Sequence, residues 1–422
     1  MEQSIENVNL LVSGATGPLT NQLEAYIAWL DRNQYAISLM RIKVLQVLAF
    51  DRWLERRDIA LDNLNESHIL QYQRRLSRRY GSRKYGLRHI ETRRRELFNL
   101  EQLLDFLRQQ GVCALSPAAQ QTPIDIIASE FEHHLRSERG LANETVSRYT
   151  TTARQFLADR FGDSPVSLHT LLPADVIEFI RRQAAHLQPV AVKCEVNGLR
   201  SFLRYAQYCG EISAQLVASV PSVATWTTTP KLPKAISAEH AKQAIESCDI
   251  HTADGLRDRA VLLILSRLGL RAGEVIKLRL DDIDWDVAQL RVHGKGRHES
   301  LLPLPADVGK AIAAYLKSGR PASDDRSLFL RSIAPIRGLK EDSDAVGSIV
   351  KRALRRAKVD APHMGSHQFR HALAVGMLQR GASLSEIGEV LRHRSPQSTS
   401  IYARVDIEAL RTIAFAWPGE PK

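Results

Sequence analysis

The sequence predicts a mainly α-helical chain with one small β-sheet, in which two helical modules precede a region of mixed helix and strand. Three observations carry that expectation. Two helical blocks of about 90 to 110 residues each end at a break rich in proline, serine and threonine. The region beyond them opens on a long apolar helix, Leu256 to Ser266, and two strand-like runs, Val287 to Val292 and Glu299 to Leu304, flank a glycine turn.

In chain order, the first block spans residues 1–116. Its clearest feature is a dense cationic run made of Arg74, Arg75, Arg78, Arg79, Arg83, Lys84, Arg88, Arg93, Arg94 and Arg95, opposed by Glu91 and interleaved with Tyr80 and Tyr85. Such a run is either a solvated face or a set of phosphate contacts, and Arg74, Arg75, Arg78, Arg79, Arg83, Lys84, Arg93 and Arg94 are the candidate DNA contacts. Contacts of that kind position a duplex more than they read it. The break at Ala114 to Pro123 leads into a second block, residues 124–213, which repeats the first. Ser67 to Arg75 parallels Ala174 to Arg182 at an offset of 107, and Leu103 to Gly111 parallels Phe202 to Gly210 at an offset of 99. A linker is expected over residues 214–233, and the remaining region runs from 234 to 418.

Composition favours a polyanionic partner. Lysine and arginine number 58 against 47 acids, a formal net charge of +11. Cys113, Cys194, Cys209 and Cys248 form no C-x-x-C pair, which suggests neither a zinc site nor a disulfide framework. The first residues lack a basic segment followed by an apolar one, and no uninterrupted apolar run approaches the roughly 20 residues of a membrane span. A cytoplasmic, nucleoid-associated protein without a membrane partner is the expectation.

The last fifth of the chain contains Ser366-His367-Gln368-Phe369-Arg370-His371, then Leu391-Arg392-His393, then Tyr402, with Arg271 and Lys295 upstream. These residue types suit the breaking of a DNA phosphodiester by a tyrosine. In-line attack on a phosphodiester builds negative charge on the non-bridging oxygens, so placed cations dominate the rate. Arg271 and Arg370 are permanently charged and can each hold two oxygens. A phenol such as Tyr402 attacks and later leaves more easily than a serine alkoxide, because its usual pKa is near 10. Lys295, in a glycine-flanked turn, can protonate the departing 5′ oxygen. His367 and His393 remain to bind the phosphate or to take the phenolic proton. His367 and Arg370 lie three apart in a helical pattern and share a face, while Ser395 and Pro396 signal a new helix carrying Tyr402. Each fragment alone is common by chance; the ordered set is specific.

On these residues, the region from about Lys231 to Lys422 resembles the catalytic domain of the tyrosine recombinase, or phage integrase, family of site-specific DNA recombinases. Leu268 to Val275 is similar to the family's first arginine box, Gly294 to Arg297 to its lysine hairpin, Ser366 to His371 to its second box, and Leu391 to Tyr402 to its third. The resemblance implies that Arg271, Lys295, His367, Arg370 and His393 activate the phosphate, that Tyr402 forms a 3′-phosphotyrosyl link, and that Glu274 supports the pocket. It implies further that 124–213 is a helical (SAM-like) core-binding domain and 1–116 a second module of the same kind. The partners would be double-stranded recombination sites, bound by a homotetramer or by a hetero-tetramer with sister recombinases, with neither cofactor nor metal. The segment Val405 to Ala416 would dock on a neighbouring subunit. Two rivals stand beside this reading: a type IB-like topoisomerase, and a catalytically idle DNA-binding regulator on the same fold. One departure is Arg392, where the family usually has glycine. A left-handed backbone there would cost about 1 kcal/mol or more, whereas a right-handed one would leave Arg392 free to add a phosphate contact.

Overall fold

Prolines and short oxygen-bearing side chains set many of the helix starts. The computed structural model describes residues 5–79, 87–114, 122–162, 164–223, 235–294, 299–340, 344–361, 363–393 and 395–404. Residues 1–113 with 231–422 form one compact unit and 114–230 a second.

The N-terminal part of the first unit holds α1 (Ile5–Asn9), α2 (Thr20–Arg32), α3 (Ile37–Glu55), α4 (Glu66–Arg79) and α5 (Leu87–Gln109). Their apolar faces meet in a core that includes Tyr26, Phe50, Trp53 and Phe106. The second unit contains α6 (Pro123–Ser137), α7 (Asn143–Phe161), α8 (Pro173–His186), α9 (Pro189–Tyr208) and α10 (Ala214–Ala218). Thr122 caps α6 by accepting from the Asp125 N–H, and Pro123, Pro173 and Pro189 each stand in a first turn, where a missing N–H costs nothing. Leu216 and Val220, in the stretch expected as linker, are buried in this unit's core. Positions that correspond in the sequence repeat are buried alike: Ile69 with Val176, Tyr72 with Phe179, and Leu103 with Phe202.

The rest of the first unit begins with α11 (Ala238–Glu246), α12 (Ala253–Leu268) and α13 (Ala272–Lys277). The middle of α12 is apolar on every side because it is enclosed: Ala260, Val261, Leu262, Ile264 and Leu265 are completely buried. A three-stranded antiparallel sheet follows, with β1 (Ile283–Asp284), β2 (Gln289–His293) and β3 (Glu299–Pro303) in that order. Leu290 pairs with Leu302 and Val292 with Ser300, so Leu290 and Val292 enter the core while their neighbours face out. His293, at the end of β2, lies between Asp282 at 2.9 Å and Glu299 at 3.3 Å, which ties β2 to the start of β3. The chain then forms α14 (Ala306–Ser318), α15 (Ala345–Arg356), α16 (His367–Leu378), α17 (Leu384–Val390), α18 (Pro396–Thr399) and a 3₁₀ turn, Ser400–Arg404. No helix among the described residues is long and apolar enough to cross a membrane.

Candidate active site

Helix α12 ends because Gly269 turns left-handed, at φ 58°. A Cβ at that position would stand 2.7 Å from a terminal methyl of Leu391, so a larger residue there would also have to displace that side chain of the third box. Two residues on, Arg271 begins α13 and grips its own first turn. Its main-chain N–H donates to Glu274 Oε2 at 2.9 Å and its Nη1 to Oε1 at 2.7 Å. The Glu274 side chain is 6 % exposed. Burial would push its pKa up, but the two hydrogen bonds from Arg271 and the charges of Arg392 and Arg271 outweigh it and hold the carboxyl below its ordinary value.

Helix α16 carries His367, Arg370 and His371. Arg370 is 3 % exposed and donates from Nη1 to the Gly269 carbonyl and from Nη2 to the Leu391 carbonyl. One guanidinium thereby ties the end of α12 to the end of α17. Burial and the charges of Arg271 and Arg392 lower its pKa to about 10, which leaves it cationic at neutral pH. His393 Nδ1 shares a hydrogen bond of 2.7 Å with Thr399 Oγ1, linking it to α18. Ser395 caps that short helix, with Pro396 in its first turn, and the 3₁₀ turn after it carries Tyr402.

Arg392 takes the left-handed conformation, at φ 55°. Its guanidinium offsets the strain by turning inward: Nη2 donates to Glu274 Oε2 at 3.0 Å, and the side chain is 14 % exposed. Glu274 is therefore shared, Oε1 holding Arg271 and Oε2 holding Arg392. Of the two alternatives open in the sequence, the strained backbone is the one present, and Arg392 forms a buried ion pair with Glu274.

Tyr402 is 1 % exposed, and His371 Nδ1 lies 2.8 Å from its Oη with the rings edge-on at 5.7 Å. Burial raises its pKa, with Arg370 pulling the other way. Arg271, Glu274, Arg370 and His393 are thus brought together, with His367 at the start of the helix that bears Arg370. Tyr402 joins them through His371. Lys295, Arg83, Lys84 and the segment Val405 to Ala416 lie outside the described residues, as do the side chains of Arg78, Arg79 and Arg93. Arg74 and Arg75 on α4 and Arg94 on α5 are exposed. Sequence reasoning gave His371 no role. The signal was there, since it stands four residues after His367 and so on the same helix face.

The pocket's cations leave a mark on its histidines. Burial, then Arg370, Arg271, Arg392 and His371, lower the His393 pKa from 6.5 to about 4, and His367 and His371 shift the same way. The folded state therefore binds fewer protons than the unfolded state between about pH 4 and 6.5, and its stability falls as pH drops through that window. We expect the urea midpoint of the wild type to fall from pH 7 to pH 5 more steeply than that of His393→Gln. Equal slopes would remove the assignment.

Residues 234–408 match the phage integrase family. The integrase/recombinase y4rA of Sinorhizobium fredii is 43 % identical over 411 residues, covering 96 % of this chain and 96 % of its own. Tyrosine recombinase XerC of Pelobacter propionicus is 30 % identical, covering 67 % of this chain and 92 % of its own. Among solved structures, the XerH site-specific recombinase bound to palindromic difH substrate superposes with a TM-score of 0.53 at 19 % identity, covering 68 % of this chain and 83 % of its own. With a relative 43 % identical along nearly its whole length and a family match over residues 234–408, this chain belongs to the phage integrase family, the tyrosine-type site-specific DNA recombinases.

Proposed function

We propose that Tyr402 is the nucleophile of a site-specific recombinase and that Arg271, Arg370, His367 and His393 bind and activate the scissile phosphate, with Lys295 protonating the 5′ oxygen and Glu274 orienting Arg271. The observation that carries this reading is the double tie of Arg370 to the Gly269 and Leu391 carbonyls, which joins the three boxes around one cationic pocket beside the Tyr402 phenol. A phosphate entering there meets preorganised positive charge that stabilises the phosphorane-like transition state. The same negative charge offsets the arginines' repulsion of protonated histidine, so binding raises the proton affinity of His393 and His367.

Attack by the Tyr402 oxygen forms a 3′-phosphotyrosyl ester and frees a 5′ hydroxyl. A 5′ hydroxyl from a partner duplex then attacks the ester, and strands exchange through a Holliday junction. The ester conserves the energy of the broken bond, so exchange needs no ATP. Two duplexes of two strands require four cleavages, hence four protomers on two sites, either copies of this chain or copies with sister recombinases. The name integrase/recombinase carried by y4rA supports a role in integration, excision or transposition of a mobile element. The helical blocks 1–116 and 124–213 would grip the duplex, and a protein acting on DNA would work at the nucleoid.

The test is recombination between two plasmid copies of the attachment sequence found in the DNA flanking the coding region. Recombinant products alongside relaxation are expected. Relaxation alone would mean a type IB-like topoisomerase, and binding without cleavage an idle regulator. For the basic run, replacing Arg74, Arg75 and Arg94 together by alanine is expected to flatten the salt dependence of DNA affinity by about 0.9 in slope for each phosphate left without its cation. An unchanged slope in a salt titration would make that run a solvated face.

A further inference from the structure

We infer that His371 takes the hydroxyl proton of Tyr402 during strand cleavage and returns it during rejoining, an inference that rests on Tyr402 being the nucleophile. Among the described residues, the hydrogen-bond partner of the Tyr402 Oη is His371 Nδ1, at 2.8 Å. The two histidines that sequence reasoning favoured for this proton are engaged elsewhere or further off. His393 Nδ1 is bonded to Thr399 Oγ1 at 2.7 Å. His367 is exposed, and its ring centre lies 6.1 Å from that of His371, on the helix start rather than on the phenol.

The protonation states fit a base. Burial, with the charges of His367 and Arg370, lowers the His371 pKa, so its ring is neutral at pH 7. Burial raises that of Tyr402, so the phenol keeps its proton at rest. In the tautomer with its ring proton on Nε2, the His371 Nδ1 lone pair accepts from the Tyr402 O–H across the 2.8 Å contact, and this is the tautomer that the proposal assigns. As the Tyr402 oxygen forms its bond to phosphorus, its proton passes to Nδ1 and His371 becomes imidazolium. The bond from phosphorus to the 5′ oxygen breaks, and that oxygen takes a separate proton, the one that the proposed function assigns to Lys295. In rejoining, the 5′ hydroxyl attacks and returns its proton to the group that supplied it in cleavage, the phosphotyrosyl bond breaks and His371 hands its own proton back to the departing phenolate. The imidazolium is tolerable only while the phosphate is present, because its charge screens Arg370.

The experiment uses full-length protein and a nicked suicide duplex carrying the flanking attachment sequence. His371→Ala is expected to slow formation of the covalent adduct by about 10² to 10³-fold at unchanged DNA affinity. His371→Asn, which offers an acceptor near the position of Nδ1 but cannot hold a proton, is expected to lose as much and covers the case in which alanine fails to fold. Two substrates separate a proton carrier from a structural prop. A 5′-bridging phosphorothiolate at the scissile bond needs no proton on its leaving group, so it should restore Lys295→Ala and leave both His371 variants slow. An oligonucleotide ending in 3′-p-nitrophenyl phosphate needs no protonated leaving group for ligation, so the His371 variants should join it at the wild-type rate. Restored cleavage on the phosphorothiolate, failed p-nitrophenyl ligation, or unchanged or faster adduct formation would each overturn the assignment. A wild-type adduct on a residue other than Tyr402 would overturn the function itself, whereas an adduct on Tyr402 with unimpaired His371 variants would overturn only the role of His371.

Discussion

Tyr402→Phe is expected to abolish the covalent protein–DNA adduct, with cleavage falling on the order of 10⁴-fold or more while site binding is retained. The phenyl ring fills the volume that Tyr402 occupies among Ala374, Ile387 and Leu391, so packing is kept. What disappears is the hydroxyl and its bond to His371, at a stability cost of about 1 kcal/mol. Suicide-duplex trapping, with DNA affinity and a thermal melt measured alongside, checks the expectation. Undiminished adduct would remove Tyr402 from the chemistry, and a collapse of folding would show that its place in the core matters more than its oxygen.

Arg271→Ala carries the second-largest expected effect, a loss of cleavage of about 10² to 10³-fold with DNA affinity and folding largely retained. This arginine is the cleaner probe of transition-state charge. Its side chain is 41 % exposed, and its removal leaves the buried Glu274 still paired with Arg392 at 3.0 Å. Arg370→Ala also removes a cation, but it strands the Gly269 and Leu391 carbonyls, so reduced activity would be mixed with damaged packing. Single-turnover cleavage rates at saturating protein give the magnitude. Loss of binding and cleavage in parallel would make Arg271 a docking residue.

What the sequence disclosed and what it withheld follow from how far each relation reaches along the chain. His367 and Arg370 were placed on one helix because helical spacing is local, and the strands β2 and β3 were visible because strand alternation is local too. The supporting role of Glu274 came from the family resemblance, and the structure adds that it caps α13 by accepting from the Arg271 main-chain N–H three residues earlier. The relations that make a pocket span longer separations. Arg370 meets a carbonyl 101 residues earlier, Arg392 meets Glu274 across 118, and His371 meets Tyr402 across 31. No periodicity encodes such meetings. Arg392 shows the limit well: its type and position were plain, but its left-handed backbone and the carboxylate it shares with Arg271 needed the fold.

Everything proposed for the pocket depends on the DNA being held on Tyr402 through its phosphorus. The direct measurement is to trap wild-type protein on a nicked suicide duplex, digest the adduct with protease and nuclease, and map the nucleotide-bearing peptide by tandem mass spectrometry. The expected result is one modified peptide with the 3′-phosphoryl nucleotide on Tyr402 and a free 5′ hydroxyl on the released strand. Modification at any other residue, or a 5′-phosphoryl link, would refute it.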